Sequence, residues 1–339
     1  MALSALIPLQ TRLDPLVSEL AAGIKSAEEQ GMKNAMMKAV VAVVQAPNAK
    51  SLSAASIQAI EALTKSNADS VDSRWQLLRS QAFGALCGVV PQDAALQLIG
   101  SNAIIDAGDS VPAQAAKLHC LAAVIAESPA LFAGSSELQS RIASSVDTAL
   151  APDVASVQRA LASLPAARVA KNTLLNLDIA PAGSPIIAPL IEALVRVVDP
   201  PTMGAFDSDT QQQALAGLKS VAKHRFAIAE PQRDAIVAAA MAHVRDRNIT
   251  VKLAAERCAL YALRLANVPA EGFAGDSRGL DAYVQNMGGP ASDKGKQVVD
   301  YHRRVLNKLA DTTRELDYAS DDDDDPHRER AVANSDDEA

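Results

Sequence analysis

The cysteines and histidines are the side chains best suited to hold a metal ion or to act as nucleophiles. Metal sites and redox centres usually place such residues a few positions apart, as in a C-x-x-C pair. No such cluster occurs among Cys87, Cys120, Cys258, His119, His224, His243, His302 and His327. The motifs G-x-G-x-x-G, Walker A, H-E-x-x-H and G-x-S-x-G are also absent. We therefore predict no catalytic residue, no metal and no cofactor, and expect that the protein is not an enzyme.

Each cysteine lies within an apolar stretch, so we interpret all three as small buried hydrophobic side chains. Free cysteines indicate a reducing compartment, which predicts a cytoplasmic protein. The N-terminus has no positively charged region in front of its short apolar run, and no stretch reaches the roughly 18 apolar residues of a membrane span. We expect neither a membrane nor DNA as a partner.

Basic residues are concentrated in two stretches near the C-terminal end. Between 219 and 257 there are eight bases against four acids. From the two stretches we single out a candidate interaction surface that consists of Arg245, Arg247, Lys252, Arg257, His302, Arg303, Arg304 and Lys308. One interpretation is a solvated outer face of helices, another a surface that binds RNA or acidic protein. A third is a weak, salt-dependent contact with the acidic tail of the same chain.

The acidic tail, residues 317–339, carries the whole net charge of the chain. It holds ten acids and two bases, whereas residues 1–316 hold 30 of each sign, so the overall charge is −8. A run of like charges buries too little apolar surface to order itself, and we predict that the tail is disordered. Ser320 and Ser335 each precede an acidic cluster and resemble sites for an acidophilic kinase. The alternative is an unmodified tail that aids solubility.

Helical periodicity dominates the residues before the tail. In 250–265 the apolar positions follow the i, i+3, i+4, i+7 pattern of a buried helix face, with Thr250 as the predicted N-cap. The segments 31–44 and 74–90 show the same pattern. Further helices are predicted at 13–23, 53–65, 92–107, 112–127, 136–150, 154–170, 185–198, 209–224, 231–245, 276–286 and 294–316. A core that contains only 3% aromatic residues suits close packing of helices.

The predicted helices recur with a period of about 40 residues. Lys33, Arg74 and Gln114 begin comparable helices 41 and 40 residues apart, and Gln212 and Lys252 are again 40 apart. Two helices per 40 residues are typical of HEAT and armadillo repeats. We predict an all-α, HEAT/armadillo-like α-solenoid of antiparallel helix pairs. Its parts are N-terminal repeats at 1–164, an irregular insertion or loop at 165–184, C-terminal repeats at 185–270, terminal helices at 271–316 and the tail at 317–339.

Several stretches resemble one family of repeat proteins. They are RLDPLV at 12–17, GMKNAMMKA at 31–39, KLAAERCAL at 252–260 and DYHRRV at 300–305. These stretches resemble the C-terminal HEAT-repeat region of the ribosome-associated translational activator of the general control pathway, which stimulates the kinase of initiation factor 2 alpha during amino-acid starvation. The resemblance extends over nearly all of 11–316.

The resemblance implies a scaffold that binds other molecules. It implies the ribosome and the initiation-factor kinase as partners, with an ATP-binding-cassette protein as a further one. No kinase-binding residue is carried over, because the arginine that the family uses for that contact has no counterpart here. Members of the family are several-fold longer, so we expect either part of such a protein or a short paralogue. The alternative function is an unrelated HEAT/armadillo adaptor, such as a transport or phosphatase scaffold.

Overall fold

The computed structural model describes residues 12–66, 72–151, 156–181, 183–199, 205–224, 228–244, 246–265, 289–293, 296 and 299–300. Within these residues the regular secondary structure is helical, and they contain no strand. The first six α-helices are α1 Asp14–Ser26, α2 Gln30–Val44, α3 Ala54–Lys65, α4 Ser73–Val89, α5 Gln92–Asn102 and α6 Val111–Glu127. The next six are α7 Ser136–Ala149, α8 Ser156–Leu175, α9 Ile187–Val198, α10 Ser208–Lys223, α11 Glu230–His243 and α12 Ile249–Leu265. Short 3-10 turns lie at Ala49–Ser51 and Pro129–Leu131.

Short polar side chains begin many of these helices. Ser53, Asp72, Ser110 and Asp207 each accept a hydrogen bond from a backbone N–H in the first turn of the helix that follows. Those N–H groups have no partner inside the helix, so a side-chain oxygen stabilises the helix end. Each of these caps fixes the residue at which its helix begins.

The chain divides into two compact units. The first unit comprises Met1–Ser145 and Leu161–Val169, and the second comprises Val146–Ala160 and Ala170–Ala339. Within the first unit, α1 packs against α3, while α4 packs against both α2 and α6. Each helix of one layer also packs against its neighbour along the chain, as α1 does with α2 and α3 with α4. The short connections make these neighbours antiparallel pairs.

The core of the first unit contains Trp75, Phe83 and Phe132, each at most 1% exposed, among aliphatic side chains.

Salt bridges connect the loop after α5 to α6. The Nζ of Lys117 lies 2.8 Å from Asp106 and 2.7 Å from Asp109. This loop begins at Ala103, so α5 ends five residues before the predicted limit of 107.

The second unit repeats the same arrangement of two layers. Helix α9 packs against α11, α10 packs against α12, and the pairs α9–α10 and α11–α12 join the layers. The core is aliphatic, with the side chains of Leu190, Leu194, Leu218 and Ile236 fully buried. Each unit is therefore a stack of antiparallel helix pairs.

The predicted fold class, an all-α HEAT/armadillo-like α-solenoid of antiparallel helix pairs, is confirmed. The segment 165–184 begins inside α8, which continues through Pro165 to Leu175. The predicted helix 276–286, nearly all of 294–316 and the whole tail lie outside the described residues. The assignment of repeats to 1–164 and 185–270 stays a prediction.

Candidate interaction surface

Helix α12 carries most of the candidate basic residues that the structure describes. One face of the helix is buried, since Val251, Ala255, Cys258, Ala259 and Ala262 are at most 1% exposed. These are the positions that helical periodicity predicts. This face packs against α10 and α11 and fixes the orientation of the helix.

A hydrogen-bonded loop sets the start of α12. The side-chain oxygen of Asn248 accepts hydrogen bonds from the backbone N–H groups of Thr250, at 2.9 Å, and Val251, at 3.4 Å. The N-cap is therefore Asn248, and the prediction of Thr250 is wrong by two residues. Thr250 instead lies in the first turn, where its hydroxyl donates to the same Asn248 oxygen at 2.7 Å.

Asp246 and His243 hold this loop in place through hydrogen bonds. His243 is 1% exposed; its Nδ1 lies 2.9 Å from the Asp246 carboxylate and its Nε2 lies 2.8 Å from the Val198 carbonyl oxygen. The other carboxylate oxygen of Asp246 accepts the Asn248 N–H at 2.8 Å. These contacts join the ends of α9 and α11 to the beginning of α12.

The carboxylate form of Asp246 is favoured in the folded protein. Partial burial raises its pKa, but the hydrogen bonds from Asn248, His243 and the Arg247 N–H, together with the charge of His243, outweigh burial and lower it. Asp246 therefore stays negatively charged, and its two carboxylate oxygens contact the loop backbone and His243.

Of the eight predicted surface residues, the structure describes three. Arg247 is exposed at the start of α12, whereas Lys252 and Arg257 are half-buried along the helix. The other five, Arg245, His302, Arg303, Arg304 and Lys308, lie outside the described residues, as do Ser320 and Ser335. A spacing of five residues places Lys252 and Arg257 about 140° apart around the helix axis, so they do not share one face.

Two exposed aliphatic side chains lie among these cations, and the sequence interpretation missed them. Ile249 is 60% exposed and Leu253 is 45% exposed. They are four residues apart, so they are neighbours on the helix surface. Their positions fall outside the apolar periodicity of α12, and that mismatch is the sequence signal by which they could have been found.

Other cations of the basic stretch are either buried or paired with acids. Lys219 is 3% exposed on α10. Arg233 pairs with Glu230 at 3.0 Å and with Asp234 at 3.2 Å on α11. The exposed basic surface is therefore narrower than the count of bases suggests.

The chemically reactive side chains are buried as hydrophobic residues. Burial raises the pKa of the Cys87 and Cys258 thiols to about 12, and burial also raises the pKa of Cys120. Burial, with the charges of Arg168 and Arg79, lowers the pKa of His119 to about 3. Within the part of the chain that the structure describes, no group of three His, Cys, Asp or Glu residues is arranged to hold a metal ion. No described helix has the length and apolarity to cross a bilayer.

The fold of the described residues is that of a HEAT-type helical repeat protein. Residues 189–272, which include α10 to α12 and all but the first two residues of α9, match the family model described as GCN1-like, C-terminal HEAT repeats. A stretch of 49 residues is 49% identical to the eIF-2-alpha kinase activator GCN1 of Saccharomyces cerevisiae. These findings confirm the predicted resemblance to the C-terminal HEAT-repeat region of that family.

The matches cover limited parts of the chains. The yeast match covers 14% of this chain and 2% of the yeast protein, so the chain spans a small part of that relative. A crystal structure of an engineered protein aligns over 73% of this chain and 98% of its own, with a TM-score of 0.44 and 15% identity. The HEAT family match and the all-helical fold point to a non-catalytic scaffold.

Proposed function

We propose that the chain is an interaction scaffold of the starvation response, in which it serves as the C-terminal HEAT repeats of an activator of the eIF-2-alpha kinase. The observation that carries the proposal is the match of residues 189–272 to GCN1-like C-terminal HEAT repeats. This region contains α12, which carries Lys252 and the exposed Ile249 and Leu253 and begins just after the exposed Arg247.

The proposed partners are the ribosome and the initiation-factor kinase, with an ATP-binding-cassette protein as a further one. The yeast relative is named as an activator of the eIF-2-alpha kinase, which supports the kinase as a partner. A basic surface supports ribosome binding, because ribosomal RNA presents dense negative charge to which cations are attracted. These partners place the proposed site of action in the cytoplasm.

Sedimentation with ribosomes through sucrose gradients tests the proposal. We expect the full chain to sediment with ribosomes at low salt and less at moderate salt, because salt screens phosphate contacts. The double variant Arg247→Glu/Lys252→Glu should lose most of this binding. Free migration of the unaltered chain at both salt concentrations would contradict the ribosome assignment.

A matched variant separates a specific surface from overall charge. Lys25 and Lys50 are exposed lysines of the first unit, and Lys25→Glu/Lys50→Glu changes the net charge by the same amount. We expect this control to sediment like the unaltered chain. Equal losses in both double variants would indicate non-specific attraction and remove α12 from the proposal.

The second candidate function is an unrelated HEAT/armadillo adaptor, for which the exposed aliphatic pair on α12 is the favouring observation. Transport and phosphatase scaffolds bind proteins through such helix faces. Affinity capture with the full chain from lysate, compared with the Arg247→Glu/Lys252→Glu variant, distinguishes the two functions. Loss of ribosomal proteins supports the first, and loss of transport factors or phosphatase subunits supports the second.

A further inference from the structure

We propose that the start of the acidic tail, residues 317–325, docks on the α12 face, which we define as Arg247, Ile249, Lys252 and Leu253. The docked segment places Tyr318 against the two aliphatic side chains and Asp321 to Asp325 beside the two cations. The contact lies within one chain and does not depend on the proposed partners.

The aliphatic pair is the first argument for an occupant. Ile249 and Leu253 are two of the five large hydrophobic side chains with substantial exposure among the described residues. They form a continuous patch because residues four apart on a helix touch. An exposed patch of this kind beside charged side chains is typical of a protein-binding surface.

The charge of the face is the second argument. Lys252 makes no ion pair within the described part of the chain, and Arg247 is exposed. The nearest acid in sequence, Asp246, is turned towards His243 and the backbone of Asn248. The first turn of α12 adds the partial positive charge of a helix N-terminus. Glu256, half-buried one turn further on, marks the end of the positive area.

The tail complements this face in sign, composition and length. Residues 317–325 read DYASDDDDD, so one aromatic ring precedes five consecutive aspartates. From Ile249 to Leu253 the helix rises about 6 Å, and an extended segment from Tyr318 to Asp325 spans at most about 25 Å. The segment is long enough to reach both the aliphatic pair and the cations.

Attachment to the same chain favours the tail over a free partner. Residues 266–316 connect the two, and a tethered ligand competes at an effective concentration that a weak free partner seldom reaches. A nucleic acid would match the cations but leave the aliphatic pair unused, since bases stack on aromatic rings and phosphates bind cations. A second copy of the chain would match the patch without using the acidic run.

Docking gives the predicted modification site a physical role. Ser320 lies between Tyr318 and the aspartates, so a phosphate there adds about 1.5 to 2 negative charges at the edge of the cations. Phosphorylation should tighten the docked state and withdraw the α12 face from external ligands.

Amide hydrogen exchange of the full chain, followed by mass spectrometry, tests the proposal. The test variant replaces Asp321 to Asp325 by asparagine, which keeps the length of the tail and leaves the sequence of helices α1 to α12 unchanged. We expect peptides that cover 246–253 to exchange about threefold faster or more in this variant at low salt, and equally fast in both proteins at high salt. Unchanged exchange at low salt would overturn the proposal.

Substitutions on the helix provide the reciprocal test. Lys252→Gln and Leu253→Gln should each expose tail peptides of 317–325 to faster exchange, whereas the control Lys50→Gln should not. Protection of 246–253 that survives the asparagine variant but falls on dilution would assign the face to a second copy and overturn the proposal. A synthetic peptide of residues 317–325, added to the asparagine variant, should restore protection.

Discussion

The two units maintain close helix spacing in different ways. In the first unit, a Cβ on Gly84 of α4 would lie 2.8 Å from the backbone carbon and oxygen of Ala123 on α6. In the second unit, a Cβ on Gly217 of α10 would lie 2.6 Å from the Cδ1 of Leu194 and 3.3 Å from the Cα of Lys171. The obstacle is rigid backbone at Gly84 and chiefly a flexible side-chain tip at Gly217. The spacing is therefore fixed in the first unit and adjustable in the second.

The units also satisfy buried polar groups with different side chains. Arg79, 3% exposed on α4, donates to the carbonyl oxygens of Thr64 at 2.6 Å and Ala116 at 3.0 Å. His243 in the second unit lies between the Val198 carbonyl and Asp246. A guanidinium reaches three partners in a rigid fork, whereas an imidazole reaches two. We therefore expect the loss of Arg79 to lower the free energy of unfolding more than the loss of His243.

Each unit carries its own reporter of unfolding. Trp75 is the one tryptophan of the chain and is fully buried in the first unit. Cys258 is a fully buried thiol in the second unit. Because Cys87 and Cys120 of the first unit are also buried thiols, the labelling must be followed on the peptide that contains Cys258. Tryptophan emission and Cys258 labelling in one urea titration then record the two units separately.

The largest effect is expected from Arg79→Met. The substitution removes the donors to Thr64, Ala116 and the Gln76 amide oxygen, which is 3.0 Å from the Arg79 Nε. The Thr64 carbonyl belongs to the last turn of α3, where no helical N–H serves it. Unsatisfied buried acceptors cost about 1 to 3 kcal/mol each, so we expect a loss of about 3 kcal/mol or more. The Trp75 emission midpoint in urea measures it.

The control for Arg79→Met is Arg12→Met, an exposed arginine of the same unit. We expect it to change the free energy of unfolding by less than about 0.5 kcal/mol. A loss below about 1 kcal/mol for Arg79→Met would show that water replaces the guanidinium, and the contrast with His243 would disappear.

The glycines give the next effect and the most direct comparison of the units. Gly84→Ala forces α4 and α6 apart. We expect it to lower the free energy of unfolding by about 2 to 3 kcal/mol, measured by Trp75 emission in urea. Gly217→Ala requires a rotamer change of Leu194 and a small shift at Lys171. The gain in helix propensity, about 1 kcal/mol, offsets much of that cost. We expect a net change below about 1 kcal/mol by Cys258 labelling.

Gly100→Ala is the matched control, because a Cβ there meets nothing within 4 Å. It should stabilise the first unit by about 0.5 to 1 kcal/mol through helix propensity. Equal losses for Gly84→Ala and Gly217→Ala would mean that the helices of both units are equally rigid.

Sequence reasoning predicts the helices of both units well and their contacts poorly. The buried face of α12 at Val251, Ala255 and Cys258 could be predicted, because a buried helix face requires an apolar residue at every third or fourth position. The fold class could therefore be predicted without a structure.

The polar contacts could not be predicted, because each joins positions far apart in sequence. Arg79 and Ala116 are 37 residues apart, and His243 and Val198 are 45 apart. The pattern of α12 predicts Thr250 as its N-cap, yet Asn248 fills that role because Asp246 holds the loop two residues earlier. Only three of eight candidate surface residues fall in the described part of the chain, so charge counts alone could not define the surface.

His243→Phe should cost less than Arg79→Met. The phenyl ring retains the packing volume but leaves the Val198 carbonyl and one Asp246 oxygen without their donor. We expect about 2 kcal/mol of destabilisation in the second unit, measured by Cys258 labelling. The shift in the Trp75 midpoint should be smaller. A destabilisation equal to that of Arg79→Met would contradict the proposed difference between the Arg79 and His243 hydrogen bonds.

The smallest effect is the pH dependence that Asp246 contributes. Its pKa is lowered in the folded protein, so its stabilisation is complete above the pKa of an unfolded aspartate, about 3.9, and is lost as the pH falls through the lower folded value. Asp246→Asn should therefore destabilise the protein at pH 7 and progressively less below pH 4, measured by urea unfolding followed by circular dichroism. A constant difference across this range would assign the effect of Asp246→Asn to the shape of the loop and not to its charge.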